Sequence, residues 1–365
     1  MKLIPIKTFS KSYNIFLGYN IISKLKNILK KEKINFKKIL IVADSKVPEK
    51  FIKKIKSVLN NKNTFIFKFN ASEKNKNLIS INQILNTLFN KNFTRNDVII
   101  CVGGGIAGDV SGFASSIFKR GVKFVNIPST LLSQVDSSIG GKTGVNNKYG
   151  KNLIGSFYQP DIVISDIKLL ESLPKREIVC GYAEIFKHSL IKNKKFFLFL
   201  DKNLKNILEL KKNYIEEAIF KSCKIKKQIV ELDEKENNIR KSLNLGHTFG
   251  HAYESTLKYS SKLNHGEAVL YGILSATKLS KKLKLINNID YQLILSHLSK
   301  LNYRNLDKLF KRSDLNNIIK FMTVDKKNTS NKINFITLNK IGKVNIHNQL
   351  GITEVRSFIK SELLK

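Results

Sequence analysis

A chain of 365 residues with 42% hydrophobic and 25% charged residues has room for two domains and a folded, not disordered, composition. The 65 Lys and Arg against 28 Asp and Glu give a net charge of +37, but only seven of the cations are Arg, the residue suited to phosphates and guanine edges. The 58 Lys run along the whole chain among Asn and Ile, which reads as background composition and leaves nucleic acid outside the expected partners.

Cys101, Cys180 and Cys223 are far apart with no CxxC, which argues against a disulfide framework or a cysteine zinc site. No apolar run reaches the ~18 residues of a membrane span. The N-terminus lacks a signal-peptide core with a small-residue cleavage site. A soluble, cytoplasmic protein with no membrane partner is expected.

In chain order, residues 37–43 are a short apolar run ending at Asp44, the mark of a buried parallel strand. Residues 65–69 alternate as a strand, and 78–88 have helical spacing. Residues 98–102 form a second buried strand and run into Gly103-Gly104-Gly105. A helix is predicted over 110–118, a strand over 122–127 stopped by Pro128, and a short strand over 162–164. Strands alternating with helices at this spacing argue for a parallel sheet with helical crossovers. The character changes near Pro174. Helical periodicity dominates 184–191, 214–232 and 267–285, and one late run, 333–337, suits a strand. The expected division is 1–174 as an α/β domain and 175–365 as a mostly α-helical one. The Lys/Asn-rich segments 30–37 and 192–213 read as solvated surface.

Three features carry chemistry. Gly103, Gly105 and Gly108 form GxGxxG between a strand and a helix, where backbone amides approach a phosphate and the helix end adds positive potential. The acidic residue normally found about twenty positions on is missing, since the next strand leads into Pro128-Ser129-Thr130. Second, residues 134–152, QVDSSIGGKTGVNNKYGKN, are glycine-rich and polar, and Lys142 and Lys151 are candidates to clamp phosphates. Third, His247, His251 and His265 lie within nineteen residues. His247 and His251 share one side of a helix, as do Glu184 and His188. A carboxylate with two imidazoles makes an open divalent-metal site. Spacing does not say which His stays off the metal; that one can hold substrate or shuttle a proton.

The blocks GGGIAGDVSGFASSIFKRG, IPSTLLSQVDSSIGGKTGVN, GKNLIGSFYQP, LPKREIVCGYAEIFKH, LNLGHTFGHAYE and NHGEAV resemble the 3-dehydroquinate synthase family, in the family's order and over about residues 38–340. The resemblance implies a Rossmann-like NAD-binding domain followed by a helical metal-binding domain, a cytoplasmic homodimer, and a small anionic sugar-phosphate substrate. It implies NAD and one divalent metal, Zn²⁺ or Co²⁺, as cofactors. Carried over by motif, Glu184, His247 and His265 match the metal ligands, and His251 the off-metal histidine. Arg120, Lys142, Asn152, Lys187, Lys226, Arg240 and His251 match substrate contacts, with Arg120 reaching across the dimer. Asp136 and Asn244 match positions near the reacting hydroxyls. Asp44, Glu73 paired with Lys76, Gly104, Gly105, Ile106, Ala107, Gly108, Asp109, Ser129, Thr130, Lys142, Lys151, Leu169, Leu170, Glu171 and Ser172 match NAD contacts.

The family's usual Gly is replaced by Ser72 before Glu73, by Asn238 before Arg240 and by Ser189 after His188. Asn238 is expected to tolerate the left-handed turn that its glycine would make. One lysine of Asp325-Lys326-Lys327 is a further expected substrate contact. The alternative reading is a related polyol dehydrogenase or other sugar-phosphate cyclase on the same fold, which keeps the metal ligands but need not release phosphate.

Overall fold

Strand β3 (Ile39–Asp44) and strand β5 (Val98–Gly103) are buried along their whole length, as continuous apolar runs require. Their alternate residues serve two cores. Ile39, Ile41, Ile100 and Val102 face one side of the sheet, and Leu40, Val42, Ile99 and Cys101 the other. Each such Ile stabilises the fold by about 1.5–3 kcal/mol relative to an exposed one. The computed structural model describes residues 1–301, 306–323 and 332–363; Lys326 and Lys327 lie outside them.

The chain begins with an antiparallel pair, β1 (Lys2–Lys7) and β2 (Ser12–Gly18), then α1 (Leu25–Lys31), β3, α2 (Glu49–Leu59), β4 (Thr64–Phe69), α3 (Leu78–Asn90), β5 and α4 (Gly105–Ile117). β6 (Lys123–Pro128), the hairpin β7 (Lys142–Asn147) and β8 (Gly150–Phe157), and β9 (Ile162–Asp166) follow. Seven strands form one sheet in the order β1-β2-β9-β6-β5-β3-β4, parallel except for β1. The chain leaves β3 for β4 on one side and returns to β5 on the other. The carboxyl ends of β3 and β5 are therefore the topological switch point, where open α/β sheets bind ligands.

Beyond β9 the elements are α5 (Lys175–Lys192), α6 (Lys194–Leu208), α7 (Lys212–Leu232), α8 (His247–Thr256), α9 (His265–Lys282), α10 (Asn288–Ser299), α11 (Leu306–Leu309) and α12 (Leu315–Thr323). A hairpin, β10 (Lys332–Lys340) with β11 (Lys343–Gly351), and α13 (Ile352–Phe358) complete them. The chain divides into two units, residues 1–178 with 209–235, and residues 179–208 with 236–365. The first holds the parallel sheet and the second is mostly helical, the expected fold class. The division itself differs from the simple 174/175 boundary. α7 belongs with the first unit, where its Lys226 reaches the segment after β6.

Two other expectations change. Segment 192–213 is not merely solvated surface, because α6 buries Phe196, Phe197, Leu200, Leu204 and Ile207 along one face. The glycine-rich loop 134–152 contains a strand pairing. A Cβ on Gly144 would stand 2.5 Å from the Ile154 carbonyl oxygen, so the glycine is there for close backbone approach.

Candidate active site

In the first unit, Asp44 ends β3 and Gly103 ends β5, and a Cβ on Gly103 would stand 2.9 Å from that of Asp44. Burial pushes the Asp44 carboxyl above its usual range, against the opposing effect of the Lys46 amide, 3.1 Å from it. α4 starts at Gly105, five residues earlier than the apolar spacing predicts. Gly104 caps it in extended conformation and has no side chain to accept from the first amides of the helix. Ile106, Ala107, Gly108 and Asp109 form that first turn. Ser129 donates its amide to the Gly103 carbonyl at 2.8 Å, and Thr130 lies against Gly104. Leu169, Leu170, Glu171 and Ser172 form a short turn after β9. Leu169 and Leu170 are buried, and Leu169 packs into the core; Glu171 accepts from the Tyr19 hydroxyl at 2.6 Å.

Glu73 and Lys76 do not pair with each other. The buried Lys76 ammonium sits 2.5 Å from Asp109 and 2.6 Å from the Asn152 side-chain oxygen. Glu73 instead takes Lys151 at 3.3 Å and the Asn146 amide at 2.7 Å. Burial raises the Asp109 carboxyl's affinity for a proton, and the Lys76 charge opposes it. Asp136 lies in a short π turn, Ser133–Ser137, and Lys226 grips it through both its carboxylate at 2.5 Å and its carbonyl at 2.7 Å. Lys142 and Arg120 are exposed, and Arg120 takes a left-handed φ of 64°.

In the second unit three helices meet through glycines. Gly246 sits at φ 80°, and a Cβ there would stand 2.7 Å from the Ile273 amide nitrogen of α9. A Cβ on Gly272 would run into the Gly246 carbonyl, and one on Gly266 into the Cys180 backbone of α5. These contacts bring His247, the first residue of α8, and His265, the first of α9, to Glu184 on α5. The α9 start is fixed by a capping box, in which Asn264 accepts from the Glu267 amide and Glu267 from the Asn264 amide.

Ligand atoms of Glu184, His247 and His265 lie within 4.8 Å of one another. Glu184 is 1% exposed, and neither of its carboxylate oxygens accepts a hydrogen bond of normal geometry. Its contact with the equally buried Lys187 is an ion pair. Burial, then the charges of Lys187, His251 and His265, hold the His247 imidazole well below its usual pKa and so neutral. A neutral imidazole beside a buried carboxylate that accepts no hydrogen bond suits a divalent cation. Burial lowers the His265 pKa too, but the Glu254 carboxylate, 3.3 Å from its Nδ1, outweighs it and leaves a net rise. His251 is exposed, its ring 5.1 Å from that of His247.

Arg240 is buried in the turn Ile239–Asn244, and Asn244 donates to Glu236 at 2.7 Å. Here the expectation for Asn238 fails. Its φ is −134°, and the left-handed position falls on Glu236 at φ 60°. Sequence reasoning also passed over Glu254. His247, His251 and Glu254 are spaced i, i+4, i+7, one stripe of a helix, and that was the available signal.

The fold is shared with solved synthases that carry NAD⁺ and a divalent metal. A 2-deoxy-scyllo-inosose synthase, solved with carbaglucose-6-phosphate, NAD⁺ and Co²⁺, matches with a TM-score of 0.88 at 24% identity, covering 98% of this chain and 99% of that one. The 2-epi-5-epi-valiolone synthase of Streptomyces hygroscopicus subsp. jinggangensis, solved with NAD⁺ and Zn²⁺, matches with 0.85 at 20% identity, covering 99% of each. The family profiles for the N-terminal and C-terminal parts of 3-dehydroquinate synthase match residues 66–180 and 181–328. A 3-dehydroquinate synthase of Pelagibacter ubique is 55% identical over the full length of both chains. That of Vesicomyosocius okutanii is 40% identical over 94% of each. The chain belongs to the 3-dehydroquinate synthase family.

Proposed function

We propose that this enzyme converts 3-deoxy-D-arabino-heptulosonate 7-phosphate to 3-dehydroquinate and phosphate, a lyase step of the shikimate pathway. The observation that carries the site assignment is the convergence of Glu184, His247 and His265 around a buried carboxylate lacking hydrogen bonds. Those three residues hold one divalent metal, Zn²⁺ or Co²⁺. The segment from Gly104 to Asp109 at the switch point would hold NAD. Asp44, Ser129, Thr130, Lys76, Glu73, Lys142, Lys151 and the turn from Leu169 to Ser172 complete its site. When bound, these groups supply a Lewis acid and a reversible hydride acceptor.

The chain's own residues do the rest. Asp136, held by Lys226, and Asn244, held by Glu236, orient the ring hydroxyls. Arg120, Lys142, Asn152, Lys187 and Arg240 bind the phosphate and carboxylate. Oxidation of a ring alcohol makes the neighbouring proton acidic, and the substrate's own phosphate helps remove it as it leaves. His251, off the metal, holds substrate or moves a proton. The ketone is then reduced back, and the opened ring closes by an aldol step. We further propose a cytoplasmic homodimer in which Arg120 serves the partner's site. Among the described residues no helix is long and apolar enough to cross a membrane.

The test is direct. Purified chain, NAD, Zn²⁺ and the heptulosonate phosphate should release phosphate and dehydroquinate in equal amounts. No turnover by folded, metal-loaded protein overturns the assignment. NADH accumulating without phosphate release would favour the dehydrogenase alternative.

A further inference from the structure

We propose that Glu254 is a positioning residue for the metal centre. Its carboxylate accepts the Nδ1 proton of His265 and thereby sets that ligand's tautomer and ring orientation. The inference rests on the metal reading above. Three observations carry it. Glu254 is 8% exposed, its Oε2 is 3.3 Å from His265 Nδ1, and it lies on the same stripe of α8 as His247 and His251.

A neutral imidazole has one protonated and one bare nitrogen. A carboxylate at Nδ1 places the proton there and leaves Nε2 with its lone pair, the form a metal needs. His265 opens α9 beside the imidazoles of His247 and His251, and of these neighbours the Glu254 carboxylate is the one at hydrogen-bond distance from its Nδ1, so that contact orients its ring. One helix then does two jobs. α8 supplies a ligand at His247 and, seven residues on, fixes the ligand supplied by α9. Outer contacts of this kind typically change metal affinity 10- to 100-fold when removed.

Glu254 could instead ligate the metal directly, since His251, Glu254 and His265 also bring donor atoms within 4.8 Å of one another. The geometry favours the outer role. The Nδ1 contact spends the Glu254 carboxylate on His265, which leaves it outside the Glu184–His247–His265 set.

The experiment uses metal-stripped full-length protein and a competing chromophoric chelator to measure Zn²⁺ affinity, with Co²⁺ absorption to report coordination. Glu254→Ala should weaken Zn²⁺ binding about 10- to 100-fold. Glu254→Gln, whose amide oxygen still accepts from Nδ1, should lose less and leave the apo melting temperature unchanged. Both variants should keep the wild-type Co²⁺ band intensity. Affinities within twofold of wild type in both variants overturn the proposal. So does a changed Co²⁺ spectrum in Glu254→Gln, which would make Glu254 a ligand. His247→Ala is measured in parallel. If it binds Zn²⁺ like wild type, the metal reading fails. If it loses Zn²⁺ while both Glu254 variants retain it, only the positioning role fails.

Discussion

Gly266→Ala tests whether backbone contact between α5 and α9 builds the metal centre. Gly266 follows His265, and its amide donates to the Cys180 sulfur at 3.1 Å. An added Cβ would stand 2.7 Å from the Cys180 carbonyl carbon, and nearer still to its Cα and oxygen, whereas ordinary contact begins at 3.4 Å. The nearest of these atoms, the Cys180 Cα, would stand at 2.2 Å, so the helices must separate by about 1.2 Å, the difference from 3.4 Å. The obstacle is backbone, so no side-chain rotation relieves it. Glu184 lies one turn beyond Cys180 on α5, and a shift of this size exceeds the roughly 0.2 Å tolerance of metal–ligand distances. Overpacking of this kind costs about 1–3 kcal/mol. At roughly 2–4 °C per kcal/mol for a unit of this size, the apo protein should melt roughly 2–12 °C lower. Calorimetry checks the melt, and chelator competition should show Zn²⁺ binding weakened by at least about tenfold. An alanine variant with wild-type melting and wild-type affinity would refute the idea that these helices touch through Gly266.

His247→Ala should abolish Zn²⁺ retention and turnover, while Lys30→Ala, on an exposed position of α1, should alter neither; elemental analysis of the purified variants decides it. Lys226→Met removes the cation 2.5 Å from Asp136, and a freed Asp136 should lower kcat by about 100-fold with Zn²⁺ content unchanged. An unchanged kcat would show that the tether is dispensable. Asp97 is 1% exposed; burial works against its charge, but bonds from Thr94 and the Lys38 and Lys37 amides win and hold its pKa below normal. Its contribution is present above the unfolded pKa of about 3.9 and lost as pH falls through the lower folded value. Asp97→Asn should cost about 1.5–3 kcal/mol at pH 7. In denaturant unfolding the gap to wild type should narrow below about pH 4; a constant gap would mean that charge is not the cause.

What was legible in the sequence followed from burial on both faces. β3 and β5 read as strands because nothing polar interrupts them, and the glycines after β5 marked a candidate phosphate site at the strand's end. β1 and β2 were not read. Pro5 interrupts the first, and in the observed pairing it stands on an antiparallel edge strand, where a missing amide is tolerated. β7 and β8 look like loop because Gly144 and Gly155 contribute backbone approach, which composition does not encode. α6 was hidden by lysines and asparagines around a five-residue apolar stripe. In the site, residue types and spacing singled out the His/Glu cluster, and the family resemblance chose Glu184, His247 and His265 within it, but neither gave the partners of these residues. Glu73 and Lys76, singled out together by the family's motif, are each drawn to a charge brought by another element.

The +37 charge sorts by what holds each lysine. Lys76, Lys151, Lys187 and Lys226 each contact a carboxylate: Asp109, Glu73, Glu184 and Asp136. Three of the four are nearly buried, where an unpaired ammonium would be costly, so the acid is what allows the cation to be there. An exposed lysine such as Lys30 needs no such partner. A dispersed positive field attracts any polyanion, and salt screens it. A lysine fixed 2.5 Å from its acid offers its remaining donors in one direction, which is what discrimination between phosphate, carboxylate and hydroxyl requires. With only 28 acidic residues in the chain, their placement against these particular lysines is the more informative half of the charge pattern.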